Sequence, residues 1–134
     1  ANLVRVFADK TILRNADMRG ASMQRGKFRR ATMDGAKLAG ADLSGADLTM
    51  VNLTNADLRG ADLTGADLSY ARLLGADLRK AKLGGATLYG TNMKEADFTG
   101  ANLRGARIAS VVRTGTKFCS AVMPDGKRGK CPKK

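Results

Sequence analysis

The sequence contains no histidine and no tryptophan, and among its 134 residues it has only two cysteines, two prolines, four phenylalanines and two tyrosines. Without histidine, the chain forms neither a Ser-His-Asp nor a Cys-His catalytic arrangement, and it has no imidazole metal ligand. Two cysteines are too few for a structural zinc site. No run approaches the roughly 20 apolar residues of a membrane-spanning helix. We therefore expect no cofactor, no metal and no transmembrane segment.

A large apolar residue occurs at every fifth position through most of the chain. Two residues before it stands a small residue, which is alanine in 16 of the 20 repeats between residues 11 and 110. The residue between these two is mostly Asp or Asn, and the last residue of the repeat is most often Gly. The apolar series is Leu13, Met18, Met23, Phe28, Met33, Leu38, the leucines at every fifth position from 43 to 88, Met93, Phe98, Leu103 and Ile108.

This period fits neither of the two regular secondary structures. Five residues of α-helix advance by a net angle of about 140°, so the apolar residues would spiral around every side. In a continuous strand, successive apolar residues would lie on opposite faces. The pattern is satisfied if each repeat is a short extended piece followed by a bend, which Gly tolerates. A fixed short period of this kind is typical of a solenoid.

The repeats resemble the pentapeptide-repeat family, whose consensus is A(D/N)LXX. The resemblance covers roughly residues 11 to 110, and clear examples are ADLSG at 41–45, ADLTG at 61–65 and ADLSY at 66–70. It implies an all-β fold, a right-handed quadrilateral β-helix of about five to six coils with terminal caps. Each pentapeptide forms one side and four form a coil, so residues twenty apart stack. The outward carboxylates are then a solvated or turn-bonded face rather than a catalytic pair, and we expect no enzyme.

We expect one domain in three parts. The apolar residues Leu3 to Phe7 lose the repeat phase at Ala8, so residues 1–10 are predicted to form an N-terminal cap, as a strand or as a helical turn. Residues 11–123 are predicted to form the β-helix. Residues 124–134 are predicted to be a basic tail, which begins with the turn signal Pro-Asp-Gly. Ala8 and Arg113 interrupt the apolar series and predict distorted terminal coils.

The two cysteines are Cys119, in the last repeat, and Cys131, in the tail. The ending from Phe118 to Cys131 resembles that of many extracytoplasmic pentapeptide-repeat proteins of photosynthetic organisms, including thylakoid-lumen members. This resemblance implies a disulfide that holds the tail over the open end of the solenoid, and hence an oxidising compartment. The predicted location is the thylakoid lumen or the periplasm. If the cysteines are instead free thiols, the alternative is the cytoplasm.

The formal net charge of +12 is unevenly distributed, with +6 in residues 1–37, −2 in residues 38–103 and +8 in residues 104–134. Two basic ends could attract a polyanion or an anionic membrane surface, although they also serve solubility and guard against end-to-end stacking. The basic run at residues 25–30 contains Phe28, which is in core phase and so cannot stack on a base. Nucleic acid is therefore a disfavoured partner.

Two surface features are candidates for binding. An apolar strip is predicted at Met50 and Tyr70, which lie twenty residues apart, with Tyr89 close by on the same side and Leu74 at the next. Tyr and Met are favoured in interface cores, although exposed apolar residues without a binding function would give the same sequence pattern. A charged face is also predicted, with alternating charges at Asp17, Arg19, Asp57, Arg59, Asp77 and Arg79.

These features favour a non-enzymatic structural or scaffold protein that binds an unknown protein partner through a flat solenoid face. The alternative is a polyanion or anionic-membrane-surface binder that works through the basic ends. A third class, known among other pentapeptide-repeat proteins, is a DNA mimic that protects topoisomerases. That mechanism needs an acidic rod, and this chain has the opposite charge. A capped end would leave a monomer, and an uncapped end would favour an end-to-end dimer.

Overall fold

A computed structural model describes residues 2–132, and its backbone confirms the five-residue rhythm. The second residue of each pentapeptide pairs in parallel with the residue twenty positions later, from Asn2 with Ser22 to Asn102 with Val122. Among the described residues, two strands are longer than a single bridge: β1 (Thr87–Tyr89) and β2 (Arg107–Ala109), paired in parallel with Leu88 opposite Ile108. The chain is therefore a β-helix in which four pentapeptides complete one coil.

Each bend is a β-turn closed by a hydrogen bond between successive pentapeptides. The Ala21 N–H, for example, donates to the Met18 carbonyl at 3.1 Å. The fifth residue of the repeat occupies the left-handed region, as at Gly20 with φ 66°. This residue is the third of the four residues of the turn, and a positive φ there is the signature of a type II turn. Gly is therefore common at the fifth position of the repeat. Several bulky residues adopt the same conformation, as described below.

Neighbouring coils are held by three backbone hydrogen bonds per side. On one side the N–H groups of Leu43 and Gly45 donate to the carbonyls of Asp62 and Thr64 in the next coil, at 2.7 and 2.9 Å. The Asp42 N–H donates to the carbonyl of Ala21 in the previous coil, at 2.9 Å. The fold thus satisfies its backbone through long-range pairing between coils.

The Asp and Asn residues at the second position have a structural role. The N–H of the fourth residue takes no part in the ladder, and the Asx side chain two residues earlier accepts it. Asp47 Oδ1 accepts the Thr49 N–H at 3.1 Å and the Thr49 hydroxyl at 2.6 Å, and Asn52 Oδ1 does the same for Thr54. Asx side chains commonly make such local turns. This geometry accounts for the abundance of carboxylates without any catalytic role.

The core is formed by the first and third residues of the repeats. It is continuous from Met18 to Ala106, with nearly every member fully buried. Thr91 is the one buried polar residue of the described chain, and its hydroxyl donates to the Leu68 carbonyl at 2.7 Å. Phe28 is fully buried, and its ring occupies the space that a Cβ at residue 26 would need, so Gly26 replaces the usual alanine there. Close packing of this kind makes the interior intolerant of volume changes.

Residues 2–10 continue the backbone ladder of the solenoid, and their role as an N-terminal cap stays a prediction. Asn2 and Phe7 pair with Ser22 and Lys27 of the next coil, and the Ala8 N–H donates to the Lys27 carbonyl at 2.7 Å. The small side chain of Ala8 leaves the backbone ladder intact, because the ladder depends on the turns rather than on the size of the third residue. Ala1 lies outside the described residues.

The C-terminal tail turns back along the last coil. Arg128 pairs with Val122 in antiparallel fashion, and the Gly129 N–H donates to the Ala121 carbonyl at 2.7 Å. Cys131 is joined to Cys119 by a disulfide. Pro124 stands at a fourth position, where the N–H would lie outside the ladder, so its missing donor costs nothing there. Residues 133 and 134 of the predicted tail lie outside the described residues.

Candidate functional site

The candidate site is one corner of the rod, where the turn residues of successive coils stack. The N–H groups of Lys10, Arg30, Met50 and Tyr70 each donate to a carbonyl of the next coil, at 2.8 to 2.9 Å, and the last of these carbonyls belongs to Tyr89. We call this row, from Lys10 to Gly90 together with the fourth-position residues beside it, the Tyr70 corner. It consists of a basic half and an apolar half.

The apolar half brings together three of the four residues predicted for the strip. Met50, Tyr70 and Tyr89 have exposures of 43%, 51% and 46%. The rings of Tyr70 and Tyr89 meet edge to face with their centroids 5.5 Å apart, an arrangement that aromatic pairs favour. The Tyr70 ring also lies over Gly90, where a Cβ would collide with it. The two tyrosines are therefore ordered against each other although both face solvent.

Leu74, the fourth predicted member of the strip, lies on the next side of the coil. It is only partly exposed, and its carbonyl accepts the Asn55 N–H at 2.8 Å. The apolar half of the Tyr70 corner thus consists of Met50, Tyr70 and Tyr89.

The backbone of this corner is unusual for its side chains. Lys10, Arg30, Met50 and Tyr70 have φ values of 60°, 57°, 58° and 57°, in the left-handed region that glycine favours. The left-handed conformation costs a non-glycine residue about 1–2 kcal/mol. On each of the other three corners of the described chain, no more than two successive coils have a residue other than glycine at this turn position. Four successive long side chains are therefore held here against the local backbone preference.

In the basic half, one of the cations is already neutralised. Arg29 donates to Asp9 through its guanidinium at 2.6 Å and through its backbone N–H at 3.0 Å, and Asp47 lies 3.8 Å from the same guanidinium. These hydrogen bonds lower the pKa of Asp9, with the Arg29 side chain as the main cause. A shallow groove of about 320 Å³ runs between Asp9, Lys10, Arg29, Arg30, Thr49 and Met50.

The predicted charged face forms three local ion pairs on another side of the rod. The terminal nitrogens of Arg19, Arg59 and Arg79 lie 2.6 Å from the carboxylates of Asp17, Asp57 and Asp77. The hydrogen bond from Arg19 is the main reason that the pKa of Asp17 falls to about 2. The pKa values of Asp57 and Asp77 are lowered in the same way by Arg59 and Arg79. A binding role for this face stays a prediction.

These carboxylates are poor candidates for acid–base chemistry. A general acid at neutral pH needs a raised pKa, whereas the shifts found among Asp9, Asp17, Asp42, Asp57 and Asp77 are all downward. Within residues 2–132, no group of three or more His, Cys, Asp or Glu side chains is placed to hold a metal ion. Over the same residues, no helix has the length and apolar character needed to cross a bilayer.

The family of the chain follows from this geometry and from a match to the sequence model of pentapeptide repeats. The model matches eight copies, over residues 1–35, 11–49, 51–85 and 71–108. The chain belongs to the pentapeptide-repeat family. A search of curated protein sequences finds no significant match.

Solved structures of other pentapeptide-repeat proteins are similar to this one. HetL of the cyanobacterium Nostoc sp. PCC 7120, a protein involved in heterocyst differentiation regulation, is 29% identical with a TM-score of 0.57, over 95% of this chain and 76% of HetL. A protein from the Arabidopsis thaliana thylakoid lumen is 39% identical with a TM-score of 0.53, over 67% of this chain and 59% of its own. The fluoroquinolone resistance protein QnrB1 is 21% identical with a TM-score of 0.71, over 87% of this chain and 63% of its own, and it supports the fold alone.

Two features of this pentapeptide-repeat protein were missed by sequence reasoning. Lys10 and Arg30 stand twenty residues apart and in register with Met50 and Tyr70, so the same step of twenty would have placed them on the Tyr70 corner. Gly129 packs so closely on the backbone of Phe118 that a Cβ would collide with the Phe118 carbonyl. No repeat signal marks that contact, because the tail lies outside the pentapeptide pattern.

Proposed function

We propose that this protein is a non-enzymatic scaffold that binds a protein partner through the Tyr70 corner. The observation that carries the proposal is the exposure of Met50, Tyr70 and Tyr89 on one edge, two of them in a backbone conformation that opposes bulky side chains. Aromatic residues and Met are enriched at the centres of protein interfaces. The family resemblance supports a right-handed helix of about five to six coils as the rigid support.

We propose an extracytoplasmic, oxidising location, in the thylakoid lumen or the periplasm. The Cys119–Cys131 disulfide and the similarity to a thylakoid-lumen protein support this location. The mass of the native protein after thiol alkylation, with and without reduction, tests the bridge in its own compartment. An alkylated mass without reductant would contradict the location.

A photo-crosslinking amino acid in place of Tyr89 tests the binding surface. We expect an adduct in a lumenal or periplasmic extract, and no adduct when the same probe replaces Thr64, an exposed residue on another corner. Unlabelled native protein should compete for the adduct, whereas the Tyr70→Gly variant should not. Asn55→Gly is the matched competitor control, because it makes the same backbone change at φ 58° on the neighbouring corner. Equal adducts at residues 89 and 64, or full competition by Tyr70→Gly, would contradict the proposal.

A second candidate function is supported by the basic C-terminal region. Residues 104–134 carry a net charge of +8, and within the described residues none of their cations forms an ion pair. This region could attract a polyanion or an anionic membrane surface. Retention on heparin and on phosphatidylglycerol vesicles that disappears with salt would favour this function. Unchanged retention of a Lys127→Ser, Arg128→Ser, Lys130→Ser variant would show that these three cations do not carry the binding.

A further inference from the structure

We infer that the partner segment bound by the Tyr70 corner is an extended peptide with acidic residues at one end and apolar residues at the other. This inference rests on the proposed function and adds the chemistry of the partner. The corner changes from two cations, at Lys10 and Arg30, to three apolar side chains, at Met50, Tyr70 and Tyr89. The acidic end of the peptide faces Lys10 and Arg30.

The two cations are available to an incoming carboxylate. Asp9, the carboxylate beside them, is engaged by Arg29 through two guanidinium contacts and a backbone hydrogen bond. Within residues 2–132, neither Lys10 nor Arg30 is within ion-pair distance of a carboxylate. Both line the groove that ends at Met50. Charge complementarity therefore calls for an acidic group at this end of the corner.

The apolar half of the corner favours a peptide segment with apolar side chains over one with further charged residues. The Tyr70–Tyr89 pair and Met50 offer an ordered surface whose burial gives most of the affinity in typical interfaces. The outward residues beside it are Asp47 and Asp67 on the side before the corner and Arg72 on the side after it, so the charges around the apolar half are mixed and give no net attraction for a second acidic group. An apolar segment therefore follows the acidic one.

The length of the corner sets the length of the peptide. From the coil of Lys10 to the coil of Gly90 there are four steps of the ladder, each about 4.8 Å, or about 19 Å in all. An extended chain covers this distance with about six residues at roughly 3.3 Å each. A peptide of six or seven residues would thus reach both halves.

The same geometry argues against a nucleic acid strand. The Tyr70 ring covers Gly90 and packs perpendicular to the Tyr89 ring, so part of its surface is occupied by the protein itself. A phosphate backbone continuing past Arg30 would next meet Asp47 and Asp67. Single-strand binders combine stacking on aromatic rings with a continuous basic track, and the carboxylates of Asp47 and Asp67 interrupt such a track along this side.

The test is a selection from a random heptapeptide library on the intact, disulfide-bonded protein. Peptides that also bind the Tyr70→Gly, Tyr89→Ser variant are discarded, which leaves those that need the apolar half. We expect the remaining peptides to carry acidic residues on one side of an apolar or aromatic segment. Selected peptides without that acidic group would overturn the inference, and so would the absence of any enriched peptide.

Binding constants of a selected peptide then test the cations. Lys10→Gly with Arg30→Gly should weaken binding by about two- to thirty-fold at low salt, as expected for two exposed ion pairs. Arg5→Gly with Arg25→Gly is the matched control, since both residues occupy the same turn position of the same two coils, with φ 56°. The control should change binding less than about two-fold, and an equal effect of both pairs would overturn the inference.

The outcomes separate this inference from the proposed function. Peptides that need Tyr70 but are indifferent to Lys10 and Arg30 would leave the Tyr70 corner as a binding surface and remove the acidic partner. A photo-crosslinking adduct that forms equally at residues 89 and 64 would remove the binding surface itself.

Discussion

The two ends of the described chain are built from the same five-residue unit and finish differently. In the first coil the core residues Leu3, Val6 and Leu13 are only partly buried, and the outward residues Phe7 and Ile12 are 79% and 72% exposed. In the last coil Val111, Phe118 and Met123 are likewise only partly buried, but there the tail pairs with Val122 and is bonded to Cys119, and Ala121 is fully buried. A repeat cannot complete its own last layer, so something outside the pattern must cover it.

The closure at the C-terminal end combines a covalent bond with close backbone packing. Phe118 stacks on Phe98 beneath the tail, with their centroids 5.3 Å apart. At the other end, the contacts that add to the ladder are exposed ones: the ion pairs of Arg29 with Asp9 and Arg14 with Asp34, and the Lys27 ammonium 5.3 Å from the centre of the Phe7 ring. Exposed pairs of this kind contribute little. We therefore expect the first coil to open more readily than the last.

Removal of the disulfide should have the largest effect on this difference. In the Cys119→Ser, Cys131→Ser variant the loop spanned by a sequence separation of 12 is no longer closed. The chain-entropy model gives a stability loss of up to about 3 kcal/mol. Urea unfolding measures the loss, and hydrogen exchange should show it at the Ser120 and Gly129 amides. Unchanged exchange at these two amides would mean that the tail holds without its bond.

A smaller effect is expected from Gly129→Ala, which keeps the disulfide. The added Cβ would collide with the Phe118 carbonyl, so the tail must move away from the last coil. Overpacking of this kind typically costs about 1–3 kcal/mol. Lys130→Ala, at the adjacent exposed position, is the control and should be near neutral. Equal stabilities of the two variants by urea unfolding would contradict the close contact.

Much of the fold could be predicted because the repeat determines the turn, and the turn determines the ladder. Leu58 and Leu78 are buried as their phase indicates, and the resemblance supplied the four-sided coil that places them one above the other. The boundary after residue 10 could not be read from side chains, because Ala8 breaks the side-chain pattern without breaking the backbone pattern. Side-chain size is a weaker signal than hydrogen bonding in a ladder of this kind.

The candidate site was harder to predict than the core. A step of twenty residues places Met50 and Tyr70 on one corner, whereas Leu74 lies on the next side, as expected, and its part in the strip stays a prediction. The contact between Tyr70 and Gly90 depends on side-chain rotamers, which a repeat does not specify. The disulfide was implied by resemblance alone, and no rule of spacing would have given it.

Acid should weaken the first coil slightly more than the last. Arg29 lowers the pKa of Asp9, and Arg19 lowers that of Asp17 to about 2. A lowered pKa in the folded state means that the stabilisation is complete above the ordinary value of about 3.9 and is lost as the pH falls through the lowered value, which for Asp17 is about 2. Residues 104–134 contain a single acidic side chain, Asp125, and the disulfide does not titrate in this range.

Hydrogen exchange at the Arg29 amide, which donates to Asp9 at 3.0 Å, measures this effect as the pH is lowered below the ordinary carboxylate pKa. Protection there should fall relative to the Gly129 amide after correction for intrinsic rates. Asp9→Asn keeps an oxygen acceptor but removes the charge, so its protection should change less with pH. A parallel loss of protection at both ends would refute the electrostatic account.

The smallest predicted effect compares one substitution at the end of the rod and in its middle. Lys10 and Lys80 have φ values of 60° and 61°, so Lys→Gly relieves the same backbone strain at both sites. Set against the greater flexibility of unfolded glycine, the gain should be about 0.5–1 kcal/mol. At Lys80 the gain should appear in global unfolding. At Lys10 the gain should appear only in the hydrogen exchange of first-coil amides. One of these is the backbone amide of residue 10, which donates to the Arg29 carbonyl. If Lys10→Gly raised the global free energy of unfolding as much as Lys80→Gly, the first coil would unfold together with the rest of the chain. The two ends would then not differ in local opening.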